Sequence, residues 1–179
     1  MADVPAPLEF VESFLNSVDV EGGRDDLRDL PTFRRWLSDH HRPAPADEAD
    51  LDLARRLRTE LRAETATHHG PPAQAESRDR DALDALAVRL PLAVRFTPDG
   101  AAVASPTGTG VPAVLGEVLA AVLLAAHDGS WRRMKICPAD DCRWVYYDAS
   151  RNSSRRWCSM RVCGNRNKTR SYRQRTAPA

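Results

Sequence analysis

No lysine occurs in residues 1–131, and no acid lies between Ser154 and Arg170. The formal charge of +1 conceals this division. Residues 1–131 carry 13 arginines against 22 acids, a balance of −9, whereas residues 132–179 carry 13 basic side chains against 3 acids, a balance of +10. An acidic body joined to a basic working end is implied. A basic leader followed by an apolar stretch is missing from "MADVPAPLEFVESFL", which argues against a secretory signal and makes the cytoplasm the expected compartment. Long apolar runs are missing too. The longest, Val111 to Ala126, is interrupted by Gly116 and Glu117 and falls short of the roughly 20 residues of a bilayer span. It reads as a buried helix, and no membrane is expected as a partner. Low hydrophobicity, the mark of a disordered chain, is absent: 42% of the 179 residues are hydrophobic, enough for one ordinary domain and a small second one.

The patterning of residues 1–130 predicts a mostly helical domain with a small β-hairpin. Leu8 to Val18 places Phe10, Phe14 and Val18 on one helical stripe. "DLPTFRRWLSDH" predicts a helix begun near Pro31 with Phe33, Trp36 and Leu37 inward, and residues 47–66 align Leu51, Ala54, Leu57 and Leu61 behind early acids. "HHGPPAQ" breaks the chain. A further helix is expected over 78–89, with Leu83, Leu86 and Leu90 inward. Pro98-Asp99-Gly100 is a turn signal between two short alternating strands. His40-His41 and His68-His69 fall in loop-like stretches and read as solvated histidines. Asn16 and Trp36 are candidates for an N-terminal pocket, although a capping amide and a core indole account for them more simply.

All four cysteines lie between 137 and 163, in the pattern C-x4-C-x15-C-x4-C. Two short loops, each presenting two thiolates, suit the tetrahedral preference of zinc. None of the five histidines lies in this segment, so Cys137, Cys142, Cys158 and Cys163 form the candidate ligand set. Scaffolds below roughly 70 residues usually need a staple, and structural zinc supplies about 10–16 kcal/mol of folding free energy in such modules. Trp131 to Arg175 therefore reads as a treble-clef-like module, with "RWVYY" as a strand and Trp157 packing near the metal. Disulfides would suit a secreted protein, and a thiol redox switch is the further alternative.

"CGNRNKTRSYRQR" has a composition compatible with a helix but almost no apolar face. Arg166, Arg170 and Arg173 form one basic stripe, and Arg161, Lys168 and Arg175 a second at steps of seven, with Asn165 and Thr169 between them. Stripes of this kind fit phosphates on both sides of a groove, with Asn165 and Thr169 near base edges. Arg155 and Arg156 precede the second cysteine pair. Docking of this helix on the acidic body is the competing reading. No acid–base pair, nucleophile constellation or phosphate loop is present, and four thiolates leave zinc no open position, so no enzyme is expected.

Cys137 to Arg175, about a fifth of the chain, closely resembles the CGNR zinc finger, whose naming step is here Cys163-Gly164-Asn165-Arg166. Asp148, Ser150-Arg151-Asn152, Arg155 to Met160, and Arg166 with Lys168 follow the same pattern. "FLNSVD", "DLPTFRRWL" and "ARRLRTELR" resemble the ABATE domain that precedes this finger, with Ser17 where the pattern often has threonine. The resemblance implies a bacterial transcription regulator of the stress-induced type, with a DNA-binding finger over 131–176 and an ABATE-like sensor or interaction domain over 1–130. Expected partners are DNA, with RNA as the alternative, a small-molecule effector of the first domain, and a second copy in a homodimer. Stacking by Trp157, Tyr146 and Tyr147 would serve the RNA reading.

Overall fold

Helix α1 (Ala6–Leu15) opens the chain in the computed structural model, which describes residues 4–70 and 80–176, with side chains up to Arg170 and at Arg173. It buries Leu8, Val11, Phe14 and Leu15. The expected stripe through Val18 is corrected here. The helix stops because the Ser17 hydroxyl turns back to donate to the Phe14 carbonyl at 2.7 Å. Val18 then pairs with Asp25, in a hairpin of β1 (Val18–Asp19) and β2 (Arg24–Asp25). Arg58 holds that hairpin, donating to both carboxylate oxygens of Asp25 at 2.7 and 2.9 Å.

Aspartates start the next two helices. Asp29 accepts from the Thr32 N–H at 2.8 Å to begin α2 (Leu30–Asp39), which buries Phe33, Trp36 and Leu37. Asp47 and Asp50 form a reciprocal capping box for α3 (Glu48–Ala66), whose buried face includes Leu51, Ala54, Leu57 and Leu61. Each such cap contributes about 1 kcal/mol. The chain break expected at "HHGPPAQ" lies partly outside the described residues, as does the start of the helix expected over 78–89. Helix α4 (Asp81–Val88) follows, with Leu86 buried, Leu83 half-buried and Leu90 buried just beyond its end.

Strands β3 (Leu92–Phe96) and β4 (Ala102–Pro106) pair antiparallel, from Leu92 opposite Pro106 to Phe96 opposite Ala102. Gly100 takes φ +86 in the turn between them. Helix α5 (Gly110–His127) packs on α1 and β4 and buries Val111, Val114, Leu115 and Val118. Gly116 admits the hairpin, because a Cβ there would lie 3.0 Å from Pro106 Cβ. The 18 residues of α5 have mean hydropathy 1.8, long and apolar enough to cross a membrane by length and composition. In the fold α5 is a partly buried core helix.

A 3-10 turn at Ser130–Arg133 leads into β5 (Met134–Ile136), which pairs antiparallel with β6 (Val145–Tyr147). Met134, Ile136 and Val145 join the same apolar core as α1, α2, α3 and α5. Side chains from the helical region also cap both outer edges of this hairpin. The Asn16 amide donates to the Val145 carbonyl and accepts from its N–H, each at 2.8 Å. On the other edge His68 Nδ1 meets the Met134 carbonyl at 2.7 Å, and His69 Nε2 the Ile136 carbonyl at 2.6 Å. Arg62 adds a third tie, donating to the carbonyls of Leu15 at 2.5 Å and Arg143 at 2.7 Å. Helix α6 (Asn165–Thr176) closes the described chain.

The histidines are a second correction. His41 is exposed as expected. His40, however, packs against Trp36 with ring centroids 4.2 Å apart, and His68 is 3% exposed, edge-on to Trp131. Burial pushes the His68 pKa below its ordinary 6.5, against the opposing pull of the Met134 bond and Glu64. A base depressed in this way contributes stability above its unfolded pKa, and that contribution is lost as pH falls below it. In His68→Asn, whose amide can still donate to Met134, the loss of urea stability between about pH 7.5 and about pH 5.5 should be smaller than in the parent chain.

Candidate metal centre and basic helix

The cysteine site begins with the end of β5. Cys137 directly follows Ile136, and its N–H donates to the Trp144 carbonyl at 2.8 Å, extending the hairpin across the first knuckle. The knuckle closes as Cys142 and Arg143 both donate to the Ala139 carbonyl at 3.0 Å. Arg143 takes a φ of +55, which sends β6 back along β5. The second pair comes from the far end of a loop, where the Ser159 hydroxyl accepts from the Val162 N–H and caps a π-helical turn, Met160–Gly164, that carries Cys163 into α6.

The four Sγ atoms lie within 4.8 Å of one another. Cys142 and Cys158 are 3.5 Å apart, and Cys158 and Cys163 are 3.6 Å apart. A tetrahedral zinc with bonds of about 2.3 Å separates its sulfurs by about 3.8 Å, so the cluster fits that ion with little adjustment. These separations are far from the roughly 2.05 Å of a disulfide, and all four cysteines are free thiols. Three are buried, and Tyr146, Trp144 and Trp157 pack around them. The crowding sets the thiols against each other. The contact with Cys158 draws Cys137 down to about 5, while the same contact pushes Cys158 up and burial raises Cys142 to about 11. A bound dication removes this conflict by favouring all four thiolates.

A buried ion pair organises the loop between the knuckles. Lys135 Nζ lies 2.7 Å from Asp148 Oδ2, with side chains 3% and 0% exposed. Burial opposes the ionised Asp148 carboxyl, yet Lys135, Ser150 and the Arg155 N–H hold its pKa below the ordinary 3.8. Lys135 also donates to the Ser153 carbonyl at 2.5 Å, and Arg133 donates to the carbonyls of Asp148 and Ser150, each at 2.9 Å. Sequence reasoning missed Lys135. Its signal was a lone lysine in the apolar strand that precedes the first ligand.

The naming motif resolves into physical roles. Cys163 is a ligand. Gly164 lies under Trp157, where a Cβ would meet the indole Cδ1 at 3.3 Å and the Met160 sulfur at 2.5 Å. Asn165 Nδ2 donates to the Arg161 carbonyl across the join between the π turn and α6. Arg166 Nη2 lies 3.4 Å from Cys163 Sγ, and its Nη1 lies 3.1 Å from Glu21 and 3.3 Å from Asp141. Arg170 lies 3.2 Å from Asp141.

The structure sorts the remaining expected contacts. Arg166, Thr169, Arg170 and Arg173 line a shallow surface notch on α6 of about 430 Å³. Lys168 is exposed. Arg161 is exposed but sits in the π turn. The wider turn breaks the seven-residue phase, so the expected stripe of Arg161 with Lys168 is corrected. The Arg175 side chain lies outside the described residues. Arg155 turns inward to the Trp157 and Cys158 carbonyls and over the Tyr146 ring. Arg156 is exposed beside Trp157. Asn16 and Trp36 border a common recess of about 220 Å³ with Ser13 and His40, while each also takes the structural part described above.

The purified chain should hold about one zinc ion, and chelation or Cys163→Ser should abolish near-ultraviolet dichroism from the surrounding tryptophans. Asp148→Asn leaves Lys135 buried without a counter-charge and should cost about 3–5 kcal/mol in denaturant unfolding.

Residues 5–129 match the family model of the ABATE domain, described as "Putative stress-induced transcription regulator". Residues 133–176 match the CGNR zinc finger. Among curated proteins none matches the chain significantly. The first match spans α1 through α5 and well over half of the 179 residues, and the second contains the whole cysteine cluster. The chain is a member of the ABATE family, and it carries a CGNR zinc finger at its basic end.

Proposed function

We propose that the protein is a DNA-binding transcription regulator in which zinc fixes α6 as the reading element. One observation carries this reading: an arginine-lined helix, polar all round, is seated on a four-thiolate centre. Cationic side chains on one helical face are the electrostatic footprint of phosphate contact, and Asn165 and Thr169 on the same helix are suited to base edges. Four thiolates complete the tetrahedron of zinc and leave no position for a substrate, so the metal acts as scaffold rather than as catalyst. In this reading the ABATE region, residues 1–130, is the sensor or interaction domain, and residues 131–176 form the finger.

Glu21 and Asp141 stand where DNA phosphates would bind, on Arg166 and Arg170. The Glu21 contact docks the helix in part on the acidic body, and it and the Asp141 pairs compete with DNA rather than excluding it, because exposed ion pairs are worth only about 0–1 kcal/mol. The RNA reading has less support: Tyr146 is 4% exposed with its hydroxyl on the Arg155 carbonyl, and Trp157 packs on the cysteines.

Changing Arg166 and Arg170 to Ala should weaken duplex binding and lower the slope of log K against log salt by about 1.8. Glu21→Gln, which frees Arg166 on one side, should tighten the same duplex by about two- to fivefold. Fluorescence anisotropy over a salt series reads both. Failure of the intact zinc-loaded chain to bind any duplex from a random pool at low salt would overturn the proposal.

A further inference from the structure

Where the α3 end meets the zinc region, a cleft of about 910 Å³ is walled by the His68–Gly70 segment, the turn before β5, and the loop at 152–156. It lies apart from the notch on α6, and no residue is common to the two. Its volume falls within the range of small-molecule sites. Five cationic side chains and two histidines line it, and no carboxylate does. Lys135 is neutralised by Asp148. The other four cations, Arg132, Arg133, Arg155 and Arg156, have no carboxylate partner among the described residues.

These guanidiniums are not equivalent. Arg133 and Arg155 are held in place by backbone carbonyls, which fixes their position and leaves their charge uncompensated. Arg156 is exposed at the rim. Arg132 is the unusual one: its Nη2 is closed off from solvent and has no hydrogen-bond partner among the described residues. A buried unpaired donor on a charged group is costly. Positive charge has also accumulated beside His68, whose pKa is lowered in part by Arg132. Planar guanidiniums around one cavity match the oxygens of a phosphoryl group, which accepts bidentate bonds.

We infer that this cleft binds a small phosphorylated anion, with the half-buried Arg132 as its inner contact and Arg156 as its outer contact. A phosphate on a duplex stays on a continuous backbone and meets exposed cations, whereas half-buried guanidiniums that line a cleft, as Arg132 and Arg133 do, are met by a group that enters it. The site lies at the junction of the two family segments. An anion here would bridge the His68–Gly70 segment of the first to Arg133 and Arg156 of the second. The inference does not depend on α6 reading DNA.

The test is a thermal-shift titration of the zinc-loaded full chain with inorganic phosphate, against sodium chloride at matched ionic strength. A saturating rise in Tm is expected, and Arg132→Ala should weaken the apparent affinity roughly tenfold or more. Arg132→Lys, which keeps the charge and loses the fork, should fall between the two. Exposed Arg156→Ala, a milder change to the fold, should weaken it about threefold, and Arg151→Ala, outside the cleft, should leave it unchanged. No rise beyond the chloride blank overturns the proposal, as does an equal loss in Arg151→Ala. A parallel arm measures duplex affinity: if Arg132→Ala weakens DNA by the same factor as phosphate, and duplex excludes phosphate, the cleft is a backbone contact and the inference fails. Duplex affinity that survives Arg132→Ala while the phosphate response is lost supports it.

Discussion

The edges of the β5–β6 hairpin are the constraint on which the rest of this molecule depends. A two-stranded ribbon is marginal by itself in water, and each of its outer edges presents unpaired peptide groups. Asn16 pairs with Val145 as another strand would, and His68 and His69 take the outward carbonyls of Met134 and Ile136. Once the hairpin is fixed on both sides, Cys137 and Cys142 are fixed at its closed end. The second cysteine pair, and with it α6, is then positioned relative to the helical core rather than hanging from a tether.

Charge does two kinds of work at the basic end. Lys135, Arg133 and Arg155 hold the long loop through carbonyls and the buried Asp148 carboxylate, and Arg166 reaches the Cys163 sulfur. These cations build the module. Lys168, Arg161 and Arg156 remain exposed, and Arg170 pairs with the half-buried Asp141. The formal +10 of residues 132–179 therefore overstates what is available to a polyanion, and among the described residues Glu21 is the acid of the N-terminal body that forms an ion pair with it.

The helices of the first 130 residues were legible because amphipathic periodicity and aspartate caps act locally: Asp29 with Thr32 and Asp47 with Asp50 can be read from a few residues each. The metal site was legible because ligand chemistry imposes its own spacing. What could not be read was decided at long range. Asn16 lies 129 positions from Val145, and His68 lies 66 from Met134, so local context described Asn16 as a capping amide and His68 as a loop histidine while their actual partners lay in a strand far along the chain. β5 itself, three residues with a lysine at its centre, carries too short a pattern to stand out. Arg161 misled for a different reason: a π turn changes the angular step, and no residue preference in "MRVCG" announces it.

That turn has a consequence for the chain as a whole. Between Cys158 and Cys163 the metal fixes both ends of a segment whose residue count sets how far the backbone has rotated when α6 begins. In an α-helix each residue accounts for about 100° of rotation. One residue more or fewer between the two thiolates would keep the composition, the charge and the ligand set, and would swing Arg166 and Arg170 to another side of the axis. The four-residue interval therefore works as an angular index, and the length of this loop is under tighter geometric control than the identity of most of the side chains within it.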